Sequence, residues 1–231
     1  MIASNGRPSA AGRWIVLALA LWATQCAAAS LDVAVEGMPD GVALDGAVVS
    51  LHSPAARAAT RAGRAVVVKS TTGFQPRVLP VAAGSDVRFT SADAHRHALY
   101  AFSSSRPFAF TLPGAGATHA LGFETPGVVE YGCAIHESMV GYVVVLDTPY
   151  YATTGTGGQV RLDAPAGDYE LRVWHEQQPP GAAPLALPVH VEAGASARVR
   201  VPVAPLGAAA APQETRLRDM RERFRRFQRG G

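Results

Sequence analysis

The sequence predicts an all-β chain. β-branched and aliphatic runs recur at short intervals between glycine- and proline-rich turns, and helical periodicity is absent until the C-terminus. Length bounds the organisation: with a leader set aside, the 231-residue chain suits one large or two small domains.

The leader covers residues 1–29 and reads as a signal peptide. Arg7 and Arg13 supply a positive start, Trp14 to Ala23 is an uncharged apolar run, and Ala27, Ala28 and Ala29 offer small-residue cleavage sites. The apolar run is shorter than the roughly 20 residues that span a bilayer. Gln25 is bulky where lipoprotein processing needs a small residue, so Cys26 is not read as a lipid anchor. Cleavage is expected near Ala28 or Ala29, with a periplasmic or otherwise exported product. Cys133 would then be the single cysteine, in a compartment that favours paired ones. A lone exported thiol calls for burial, metal ligation or a partner.

The strands are expected in order. Leu31 to Glu36 alternates apolar and polar residues as a half-buried strand does. A turn at Met38, Asp40 and Gly41 leads to Ala47–Leu51. Residues 53–64, with Pro54 and Gly63, are read as a loop or a short helix. Val66–Val68 starts another strand. Phe74–Val81 is extended, but Pro76 and Pro80 place it at an edge. Val87 and Phe89, Leu99–Phe102 and Phe108–Leu112 follow. Gly127–Tyr131 leads into Cys133, and Val140–Leu146 leads away from Met139. Thr148–Pro149 reads as a boundary. Beyond it lie four short strand candidates: Gln159–Leu162, Gly167–Trp174, Leu187–Val191 and Ala197–Val203. The expected division is therefore 30–148 for a first domain, 149–203 for a small second β domain, and 204–231 for a linker and tail. In the tail, Leu217, Met220, Phe224 and Phe227 recur at spacings of three and four, as on one face of a short amphipathic helix.

The formal net charge is +3, but residues 213–231 hold seven arginines against Glu214, Asp219 and Glu222. The basic balance belongs to the tail, so no nucleic-acid-binding surface is expected on the folded body. The tail is read as a contact for an anionic membrane or a partner groove, or as a solubilising extension.

Residues 131–139, Tyr-Gly-Cys-Ala-Ile-His-Glu-Ser-Met, carry the chemistry. A thiolate, an imidazole and a thioether stand at Cys133, His136 and Met139, flanked by strand candidates. A tight loop can turn all three toward one point. A thiolate and two imidazoles form the plane of a blue-copper centre, with methionine sulfur as a long axial ligand. The second imidazole must come from His95 or His97. His97 opens a strand and His95 sits in the polar turn before it. Site precision favours the more rigid position, His97. Structural zinc sites use several cysteines, and Fe–S clusters want more thiolates. A cysteine nucleophile would need an orienting third group, and Met139 has no part in that chemistry. The bland alternative is a buried Cys133, a gap-filling Met139 and an ordinary loop His136.

The stretch 126–149, Pro-Gly-Val-Val-Glu-Tyr-Gly-Cys-Ala-Ile-His-Glu-Ser-Met-Val-Gly-Tyr-Val-Val-Val-Leu-Asp-Thr-Pro, resembles the cupredoxin family. It is most similar to amicyanins and to exported plastocyanin-like proteins called methylamine utilisation proteins. Upstream, Val87-Arg88-Phe89 through His97-Ala98-Leu99-Tyr100-Ala101-Phe102-Ser103 resembles the family's strand, polar turn and ligand histidine. The resemblance implies a Greek-key β-sandwich. It makes His97 the first ligand, Cys133 the equatorial thiolate, His136 the partly exposed ligand and Met139 the axial one. Two positions depart: Ala98 stands where the family usually has Asn or His, and Ser91 where it often has Asn. Residues 150–203 resemble the small β-sandwich of transthyretin-like or carboxypeptidase regulatory-like domains.

The expected function is copper binding (Cu+/Cu2+) and one-electron transfer by a type 1 centre, without enzymatic activity. A redox partner would dock on the apolar residues Ala134, Ile135 and Met139 near His136. Copper storage, delivery or sensing is the alternative. A further one is a binding module in the second β domain, for which Trp174 and His175 are the candidate face. His52, His119 and His190 are isolated in the sequence and receive no role.

Overall fold

A computed structural model describes residues 28–135, 139–179 and 182–202, together with Glu222. The residues before Ala28, residue His136, and all of the expected linker and tail except Glu222 lie outside the described residues. The expected amphipathic helix therefore lies outside them too.

Among residues 28–202 as described, sixteen strands and one short helix follow one another: β1 (Ala28–Met38), β2 (Val48–His52), α1 (Pro54–Ala59), β3 (Arg64–Ser70), β4 (Gly73–Gln75), β5 (Val78–Ala82), β6 (Ser85–Ser91), β7 (His97–Ala101), β8 (Phe108–Leu112), β9 (Thr118–Phe123), β10 (Gly127–Cys133), β11 (Val140–Leu146), β12 (Tyr151–Thr153), β13 (Gln159–Pro165), β14 (Gly167–Trp174), β15 (Leu185–Val191) and β16 (Ala195–Pro202). The all-β class and the two sandwiches expected from the sequence are what the structure holds. Ser53 caps α1 by accepting the Ala56 N–H at 3.1 Å, and Pro54 supplies the preset first turn.

The strands form four sheets. The order β5-β11-β10-β7-β8 faces β4-β3-β6-β9 across a core that includes Phe89, Leu99, Tyr131, Cys133 and Val143. The order β12-β2-β14-β15 faces β13-β1-β16 across Leu31, Val33, Leu51, Leu171 and Val199. Pro80 lies in β5, an edge strand as expected, and Pro76 lies between β4 and β5, both at sheet edges.

The expected boundary requires a correction. Residues 30–52 were assigned to the first domain, yet β1 pairs with β13 and β16, and β2 pairs with β12 and β14. The second sandwich is thus built from both ends of the described chain, and the first is inserted between β2 and β12. The physical reason is burial. Leu31, Val33 and Val35 on the inner face of β1 are buried in one cluster with Leu51, Leu171 and Val199, so β1 belongs to the second core.

Both crossings of the insertion are held together. Thr148 Oγ1 donates to the Leu51 carbonyl at 2.6 Å, and Leu51 N to the Tyr150 carbonyl at 2.9 Å. His52 Nδ1 donates to Asp147 Oδ1 at 2.8 Å, and Arg57 Nη2 meets Asp147 Oδ2 at 2.6 Å. Apolar contact joins the sandwiches as well: Tyr142, Val144 and Leu146 of β11 pack with Val48 and Trp174.

Candidate metal centre

His97 and Cys133 are brought together by strand pairing. In β7, the period of two puts His97, Leu99 and Ala101 on one face, and all three are buried. In β10, Val129, Tyr131 and Cys133 share the inner face. β10 and β7 pair with Cys133 opposite Leu99, and Ala134 N donates to the Ala98 carbonyl at 2.8 Å. This backbone bond ties the segments that carry His97 and Cys133. It is made by backbone atoms alone and so does not depend on the side chain at position 98.

His97 is 0% exposed and Cys133 1%. His97 Nδ1 stands 3.9 Å from Cys133 Sγ. Met139 enters the same apolar cluster as Cys133, and its carbonyl accepts the Cys133 N–H at 3.3 Å. The loop from Cys133 to Met139 is therefore closed at its neck by one hydrogen bond. His95, the other upstream candidate, is 71% exposed and lies in the turn. His136 lies outside the described residues. Beside it in sequence, Ile135 is 53% exposed and Ala134 half-buried, while Met139 is buried rather than part of an exposed patch.

Among the described residues, no group of three or more His, Cys, Asp or Glu could hold a metal ion. Of the expected donors, His97 and Cys133 count toward such a group; Met139 is a thioether, and His136 lies outside the described residues. The two donors do fit one ion. Metal–sulfur and metal–nitrogen bonds of about 2.3 Å and about 2.0 Å span roughly 4.3 Å end to end, more than the observed 3.9 Å. A thiolate, an imidazole and a thioether are also the donor chemistry that copper selects.

Two residues that sequence reasoning missed stand behind His97. Asp93 Oδ1 accepts from His97 Nε2 at 2.7 Å and from His95 N at 2.9 Å. Lys69 is 0% exposed; its Nζ donates to the Ser70 carbonyl and lies 3.9 Å from Asp93 Oδ2. Burial alone would raise the Asp93 carboxyl, but the His97 and His95 hydrogen bonds and the nearby charges outweigh it and bring it down to about 2. Burial pushes Lys69 down, against the pull of Asp93 and Cys133. A sequence signal existed: Lys69 follows Val67 at the strand period of two, which places it on the inward face.

The alternative face on the second domain does not form. Trp174 is buried against Tyr142, with ring centroids 5.2 Å apart. His175 is buried with its Nε2 donating to the Asp45 carbonyl at 3.1 Å. The histidines left without a role have structural ones: His52 bonds Asp147, His119 stacks on Phe110, and His190 bonds Asp168.

No family model matches the chain, and no curated protein does. Among solved structures it is similar to a purple cupredoxin from Nitrosopumilus maritimus, at 23% identity over 36% of this chain and 99% of that one, with a TM-score of 0.32. It is similar to a reduced amicyanin mutant at 25% identity over 44% of this chain and 100% of that one, with a TM-score of 0.33. It is also similar to a copper-containing nitrite reductase from Thermus scotoductus, at 25% identity over 48% of this chain and 28% of that one, with a TM-score of 0.33. The copper reading below stands on the donor atoms themselves.

Proposed function

We propose that this chain is an exported copper protein that carries single electrons, with His97, Cys133, His136 and Met139 as ligands. The observation that supports it most directly is the 3.9 Å approach of His97 Nδ1 to Cys133 Sγ, with Met139 in the same buried cluster. Copper held there would exchange one electron between Cu(I) and Cu(II). The chain's own residues supply the rest. Strand pairing holds His97 and Cys133 in place before any metal arrives. The surrounding Leu99, Val143 and Phe89 exclude water from the thiolate. With four protein donors, no position is reserved for a substrate. Ile135 offers an exposed apolar contact for a redox partner beside the loop.

The test is the spectrum of the purified protein loaded with Cu(II). An intense thiolate-to-copper absorption in the red is expected, together with its loss in Cys133→Ala. A colourless protein at stoichiometric copper would overturn the reading.

A further inference from the structure

We propose that Asp93 and Lys69 form a buried charge pair that orients His97 and sets the balance between the two oxidation states of copper at the candidate site. The orienting half stands on hydrogen bonds alone; the balance half rests on the copper reading above.

The orientation follows from what each atom can do. An ionised carboxylate only accepts, so the 2.7 Å contact between Asp93 Oδ1 and His97 Nε2 requires the proton on Nε2. In the neutral ring the lone pair is then on Nδ1, the atom that faces Cys133 Sγ. Asp93 is itself anchored without help from a metal: Ser91 Oγ donates to its carbonyl at 3.0 Å and His95 N to its carboxylate at 2.9 Å. A carboxylate behind a ligating imidazole fixes tautomer and ring direction and raises donor strength.

Lys69 supplies the opposing charge. Fully buried lysines are rare unless paired, and Asp93 Oδ2 is the carboxylate oxygen 3.9 Å from this one. Lys69 reaches the site from β3 in the sheet opposite His97 and Cys133, so the two charges approach from different elements. In a dry interior each charge acts on the metal with little screening. Asp93 favours the more positive Cu(II), and Lys69 opposes it.

The two charges predict opposite signs. In the copper-loaded full chain, Asp93→Asn keeps an acceptor but removes the charge. It should favour Cu(I) about tenfold, a rise of about 59 mV for one electron. Lys69→Met should shift the potential downward, and the double variant should return close to wild type. A mere packing role would not give opposed shifts that cancel. Potentials that move the same way, or not at all, while the red absorption is retained would overturn the balance and leave the copper reading standing. A wild-type chain that takes up no copper would remove both together. The orienting half is read without metal: long-range nitrogen–proton correlation in the copper-free protein should place the His97 proton on Nε2. Finding it on Nδ1 would overturn that half.

Discussion

Tyr131 shows how one side chain can be packed well and solvated badly. Its ring is buried among Phe74, Phe89 and Phe108, with centroids 4.7, 5.3 and 6.2 Å away. Opposite it on β11 is Gly141, where an added Cβ would come within 2.4 Å of the ring, so only glycine lets the strands close here. The hydroxyl is fully buried with no hydrogen-bond partner among the described residues, and burial pushes its ionisation far above the ordinary tyrosine value. An unsatisfied buried hydroxyl costs more than its removal. Tyr131→Phe is therefore expected to be neutral or to stabilise by about 1 kcal/mol in urea unfolding. A clear loss of stability would reveal a partner for the hydroxyl. The sequence shows Tyr131 as an inward strand residue, but not that its oxygen lacks a partner, which depends on what the opposite strand leaves open.

At the scale of elements, β11 and β1 carry the lesson. Val143 and Val145 of β11 face the core of the first sandwich, while Val140, Tyr142, Val144 and Leu146 face the second. The almost unbroken apolar run of this strand is the pattern of burial on both faces. β1 gave no such signal. Its alternation announces a half-buried strand, but an alternating strand can join any sheet with an apolar face. Leu31 is 1% exposed in the second core, so Leu31→Ala is expected to cost about 3 kcal/mol. Trp174, the one tryptophan after residue 29, reports on that sandwich. The midpoint of its fluorescence transition should fall. A midpoint equal to wild type would place β1 elsewhere. Two strands escaped notice in the sequence: β9, whose residues 118–123 alternate weakly around Gly122, and β12, which is only three residues long.

For the whole molecule, the two crossings make stability depend on acid. Burial pushes His52 below the ordinary histidine value; Arg172 adds to this and Asp147 opposes it. Burial also lowers His175, against the Asp45 carbonyl. Both rings are neutral in the fold at pH values where the unfolded chain is already protonated. The unfolded chain thus binds more protons as pH drops below about 6.5, and unfolding becomes easier through that window. Burial would raise Asp147, but His52 and Arg57 hold it below the ordinary aspartate value, so a second loss follows as pH falls below about 3.8. His190, exposed and raised by Asp168, acts in the opposite sense but is screened by solvent. The urea midpoint should therefore be lower at about pH 5.5 than at about pH 7.5. His52→Gln should reduce the difference. A midpoint that rises toward acid would contradict the assignment of neutral buried rings.

By itself the sequence determined the class, most of the strands, and three donor types at spacings of three residues. Those properties are local: alternation, turn residues and the loop from Cys133 to Met139 need no distant information. The sequence favoured His97 over His95; tertiary structure alone decided how near it stands to the thiol, 3.9 Å, that Lys69 and Asp93 lie behind it, and that β1 closes a sandwich with β16. Each of these is a meeting between segments far apart in the chain. Pattern states that a face must be buried; only packing selects which face covers it.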